Sequence, residues 1–99
     1  MAAPTRTPVH EFINQLRRYD GTTNVTEFMT RFVQDLAVNG YNSAWGIRNF
    51  DRVLDSDAKS WFNSVWPQYD AAYTRCAADA DYDALLQRIA DDMIAMFDH

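Results

Sequence analysis

Apolar residues recur every three or four positions over most of this 99-residue chain. That spacing gathers them on one side of an α-helix, while the alternation of a half-buried strand is weak throughout. Val9, Phe12, Ile13 and Leu16 begin the pattern, and Arg17-Arg18-Tyr19-Asp20-Gly21 interrupts it with a turn signal. The segment reads as a short helix or an extended arm. Thr22-Thr23-Asn24 then supplies candidate N-caps, with Glu27 in capping-box position behind Asn24. Val25, Phe28, Met29, Phe32, Val33 and Leu36 share the next helical face, and Asn39-Gly40 closes it, because glycine tolerates the left-handed backbone of a helix end.

Ser43 is expected to cap a second helix with Trp45, Ile47, Phe50, Val53 and Leu54 on its apolar face and Gly46 as a weak spot. Asp55-Ser56-Asp57 breaks and recaps the chain. A third helix is predicted over residues 57–66, burying Ala58, Trp61, Phe62 and Val65, with Pro67 preventing its continuation. Over 68–80, Tyr69, Ala72, Tyr73 and Cys76 suit a partial helix or a packed loop. The last helix is predicted from about Asp81, with Asp79, Asp81 and Asp83 at the positive end of its dipole. Tyr82, Leu85, Leu86, Ile89, Met93, Ile94 and Phe97 form its stripe, the strongest periodicity in the chain.

These elements predict an all-α fold: a compact bundle of four to five short helices preceded by an N-terminal arm or short helix. The expected core is Phe28, Phe32, Leu36, Phe50, Leu54, Trp61, Phe62, Leu85, Ile89, Met93 and Phe97. Each large apolar group buried there contributes about 1.5–3 kcal/mol, so neither metal nor disulfide is needed for folding. Residues 1–8 read as a flexible tail and 9–99 as one domain.

Composition narrows the function classes. With 47% hydrophobic residues, six Phe, five Tyr and three Trp, the chain is unlike a disordered one. A net charge of −5 opposes binding to phosphate backbones, which depends on basic side chains releasing counterions. Arg6, Arg17 and Arg18 read as a solvated face rather than a nucleic-acid site. The single cysteine, Cys76, excludes an internal disulfide and a thiolate zinc cluster, and suits a reducing, cytosolic setting. No stretch approaches the roughly 20 apolar residues of a membrane span.

Catalytic chemistry has little to work with. His10 and His99 lie in no ligand spacing, and Gly21, Gly40 and Gly46 are too scattered to cradle a phosphate. Asp51, Asp55 and Asp57, and then Asp79, Asp81, Asp83, Asp91 and Asp92, match caps and a solvated helix face. Asp79-x-Asp81-x-Asp83 imitates the start of a calcium loop, but Ala84 and Ala90 stand where its glycine and glutamate belong. No enzyme activity, metal or cofactor is expected. The aromatics are more informative: Trp45, Trp61, Trp66, Tyr41, Tyr69 and Tyr73 exceed what so small a domain can fully bury, and Trp and Tyr are enriched at binding hot spots.

The order of landmarks resembles the capsid region of Gag polyproteins from gypsy-class LTR retrotransposons (Metaviridae) and their domesticated relatives such as neuronal Arc. The landmarks are Leu16 before Tyr19-Asp20-Gly21, a helix with Phe28 and Phe32, and then Leu54-x3-Ala58-x2-Trp61-Phe62, with an apolar segment ending at Phe97. Three features depart from the pattern. Ser56 replaces the glycine of Leu-x-Gly-x-Ala, Tyr82 replaces the Trp that opens the last helix, and the 66–80 connection is long.

The resemblance implies the N-terminal lobe of the capsid domain, a structural part that assembles through weak symmetric contacts into cytoplasmic virus-like particles. Its partners would be other copies within a longer Gag chain, with no direct nucleic-acid or membrane contact by this lobe. In the family a dimerising second lobe, and often an RNA-binding zinc knuckle, follow; neither lies within these residues. The alternatives are a domesticated lobe receiving short host peptides in a hydrophobic groove, which residues 9–16 would themselves fill, and a helical interaction domain unrelated to Gag. Trp45, Trp66, Tyr69, Phe12 and Leu16 are the expected protein contacts.

Overall fold

The helical periodicity becomes five α-helices in the computed structural model, which describes residues 8–98: α1 (Val9–Gln15), α2 (Val25–Val38), α3 (Ser43–Arg48), α4 (Ser56–Arg75) and α5 (Asp79–Phe97). A 3-10 turn, Phe50–Val53, links α3 to α4. The expectations for residues 1–7 and His99 fall outside the described residues.

Local chemistry explains most boundaries. The Asn24 side chain accepts the Glu27 N–H at 2.9 Å, satisfying one of the donors left over at the start of α2. At the other end Asn39-Gly40 stops the helix, with Gly40 at φ +82°. The cap of α3 is Asn42 rather than Ser43. Asn42 accepts the Trp45 N–H at 2.9 Å, and the Ser43 hydroxyl instead donates to Asp83 on α5 at 2.5 Å. The expected single helix over this stretch is divided at Asn49, whose amide side chain donates to the Trp45 carbonyl and competes with the backbone there.

The largest correction concerns Pro67, which does not end the third helix. α4 runs 20 residues straight past it, and α5, with 19, is equally long, so two of the helices are not short. Pro67 removes the N–H that would bond the Asn63 carbonyl, but both residues are exposed and water can take that acceptor. Beyond it, buried Tyr69 and half-buried Ala72 and Tyr73 pack on the core, so tertiary contact carries a helix that local propensity would end. α5 starts at Asp79, and the Asp81 carboxylate accepts the N–H groups of Ala77 and Ala78, which holds it below the usual carboxylate range.

α5 lies at the centre, packed against α2, α3 and α4. Gly46 is a point of close approach rather than a weak spot: a Cβ there would lie 2.6 Å from Leu36 Cδ1, so α3 reaches α2 because this position has no side chain. Among the expected core residues, Trp61 is half-buried on the core's edge and the others are buried. Val33, expected on the buried face of α2, is 46% exposed. No strand forms among the described residues, but an isolated parallel bridge joins Tyr19 to Leu54.

Ser56 has φ +51°, a left-handed conformation in which a Cβ is strained. Ser56→Gly should therefore raise stability by about 0.5–1 kcal/mol by relieving that strain. Urea denaturation checks this, and a variant no more stable than the parent would refute it.

Candidate functional site

The turn Tyr19-Asp20-Gly21 is held from both sides. The Tyr19 N–H donates to the Val53 carbonyl and the Asp55 N–H donates to the Tyr19 carbonyl, both at 2.9 Å. The Asp20 carboxylate accepts the N–H and hydroxyl of Thr22, which lowers its pKa. The Tyr19 ring is fully buried, stacked on Phe28 at 5.0 Å and edge-on to Phe97 at 5.8 Å. Burial foremost, with Asp20 and Asp98 nearby, raises its phenol pKa. Gly21, at φ +102°, lets the turn pass beside Phe97 and the Ala58 backbone, and Trp61 meets Phe97 edge-on at 5.8 Å. The segments that carry the sequence resemblance thus meet in one place, as packing partners.

α1 supplies a second convergence. Its Phe12 ring lies parallel to Tyr41 at 4.6 Å and 5.4 Å from Trp45, and Tyr41 and Trp45 are themselves 4.3 Å apart. Phe12 is 1% exposed and Leu16 is also buried. These two expected contact residues are therefore seated inside the chain, because α1 folds as a helix and docks on the α3 end of the bundle. Trp45 is half-buried at the same seat.

Tyr69, another expected contact, is also buried, and here the polar tip explains why. Its hydroxyl donates to Asp92 Oδ2 at 2.6 Å, and the Arg88 guanidinium lies over its ring at 5.6 Å and 4.0 Å from the same carboxylate. Burial first and the Asp92 hydrogen bond second push the phenol well up. Asp92 is thus a cross-helix acceptor rather than surface decoration. No sequence signal pointed to it, since the pairing depends on α4 continuing past Pro67.

Phe12 and Leu16 edge a cavity of about 390 Å³ against α2, Tyr69 edges a more open one between α4 and α5, and Trp66 borders a cleft. The cleft holds about 340 Å³ between α3, the 3-10 turn and α4, lined by Ile47, Arg48, Asp51, Phe62, Asn63, Trp66 and Asp70. Elsewhere Trp61, Val65 and Met96 edge a shallow groove between α4 and α5, where Met96 is 53% exposed.

Chemical groups outside these surfaces are sparse. Among the described residues no group of three or more His, Cys, Asp or Glu side chains is placed to hold a metal. Asp79, Asp81 and Asp83 lie on a helix rather than a loop, His10 is exposed, and half-buried Cys76 sits with Sγ 3.3 Å from the Ala72 carbonyl. No described helix is long and apolar enough to cross a membrane. No family model, curated protein or solved structure matches the chain.

Proposed function

We propose that this chain is a structural assembly lobe of the Gag capsid type, acting through weak symmetric contacts between copies in a longer protein and building cytoplasmic virus-like particles. The observation that carries the reading is the convergence of Tyr19, Gly21, Phe28, Leu54, Ala58, Trp61 and Phe97. Residues far apart in sequence, picked out by order alone, pack as one unit. Half-exposed apolar groups on α4 and α5 around Met96 offer small contact areas of the kind that closed symmetry multiplies.

Negative-stain electron microscopy of the natural protein containing this segment, with and without RNA, tests the proposal. Regular shells that enclose RNA are expected, while this lobe by itself stays monomeric by light scattering at micromolar concentration. A full natural product that remains monomeric would overturn the capsid reading.

One observation favours a second reading, a peptide-binding adaptor. The aromatic seat formed by Tyr41 and Trp45 holds the seven-residue α1 through Phe12, and a helix this short could be replaced there by a peptide.

A further inference from the structure

The cleft between α3, the 3-10 turn and α4 has walls of different character. Its floor is apolar, made by buried Ile47 and Phe62. One lip is the α4 face Asn63, Trp66 and Asp70, whose spacing of three and four residues stacks them along one line of the helix. The other lip carries Arg48 and Asp51 from α3 and the 3-10 turn. Trp66 is half-buried, tilted against Phe62 at 5.4 Å, which fixes the indole while leaving part of it accessible.

The same α4 face already shows what it accepts. One turn beyond Asp70, Tyr73 has the Arg48 guanidinium over its ring at 5.6 Å. Arg48 is thereby drawn toward Tyr73. Trp66, the better cation acceptor of the two ring types, has no guanidinium or ammonium of the described residues over it. Asp51 and Asp70 likewise form no ion pair among the described residues, whereas Asp55 and Asp92 each have an arginine.

We propose that this cleft is a subsite for a cationic side chain, arginine above all, presented by an extended basic peptide. The guanidinium would lie on the Trp66 indole between the Asp51 and Asp70 carboxylates, with its methylene stem over Ile47 and Phe62. Charge complementarity selects a peptide over a second copy of this chain. Asp51 and Asp70 line the cleft in a chain of net charge −5, which favours a basic segment over an acidic copy at this one cleft, whatever contacts copies make elsewhere. This subsite does not depend on the capsid reading and stands or falls separately from it.

The test uses the whole chain, ¹⁵N-labelled, titrated with the probe acetyl-Gly-Ala-Arg-Ala-Gly-amide and with its neutral citrulline counterpart. The arginine peptide is expected to shift the Trp66 indole N–H and the Asp51, Asn63 and Asp70 amides, and to bind about tenfold more tightly than the citrulline peptide. Trp66→Leu and the double variant Asp51→Asn/Asp70→Asn should each weaken binding about tenfold. Arg48→Gln, which removes the competing cation, should tighten it.

The two carboxamide replacements preserve shape, so the double variant remains informative if Trp66→Leu fails to fold. Equal affinity for the two peptides, shifts confined to other surfaces, or undiminished binding by the carboxamide variant would overturn the proposal. So would concentration-dependent shifts of the same residues without peptide, which would make a second copy the occupant.

Discussion

Phe50→Ala is expected to cost about 3–5 kcal/mol of folding stability, the range for truncating a fully buried phenylalanine. Phe50 is 0% exposed and stands where α2, the 3-10 turn and α4 meet. Its ring centre is 5.3 Å from Phe32, 5.0 Å from Phe62 and 6.3 Å from Phe28. Edge-on pairs of this kind add about 0.5–1.5 kcal/mol beyond burial, and rigid rings lining the vacated space cannot collapse into it. A domain of this size has total stability of about 5–15 kcal/mol, so the loss removes a large share of it. Urea denaturation with an unchanged slope is the measurement. A loss below about 1 kcal/mol would show that the surrounding rings repack after all.

The second large effect is local. Phe12→Ala should release α1 from Tyr41 and Trp45 while the other four helices stay folded, because Phe12 is the best-buried residue of that seven-residue helix. A helix this short does not persist without its packing contact. The direct loss is again about 3–5 kcal/mol at most, limited by the free energy that docks α1, since a detached segment has nothing further to lose.

Trypsin should then cleave after Arg17 or Arg18 far faster, Trp45 emission should shift to the red, and binding of a hydrophobic dye should rise. Global unfolding should move less than it does for Phe50→Ala. Unchanged proteolysis and dye binding would mean that α1 is not the element covering this aromatic seat, and would remove the observation favouring an adaptor.

Much of the bundle was legible because helix faces and caps are local. Phe28, Phe32 and Leu36, and likewise Leu85, Ile89, Met93 and Phe97, were identifiable as buried from spacing alone, and all are buried. The candidate site was less legible. Phe12, Leu16 and Tyr69 looked like surplus apolar groups for a partner because a sequence gives no packing capacity. The fold uses them internally, against Tyr41, Trp45 and the Asp92 carboxylate. Reading Pro67 as a helix end also hid that Asn63, Trp66, Asp70 and Tyr73 lie along one continuous face.

The helical class, the capped start of α2, the glycine stop after it and the stripe of α5 could all be read from the residues alone, since each depends on positions within a few residues of one another. Packing between helices carries α4 through Pro67 and makes Gly46 a contact point against Leu36. It also sets the left-handed backbone of Ser56 and gives Tyr69 its acceptor on another helix. Those outcomes come from packing between segments distant in the chain, where burial outweighs the roughly 1–3 kcal/mol local preferences on which sequence reasoning relies.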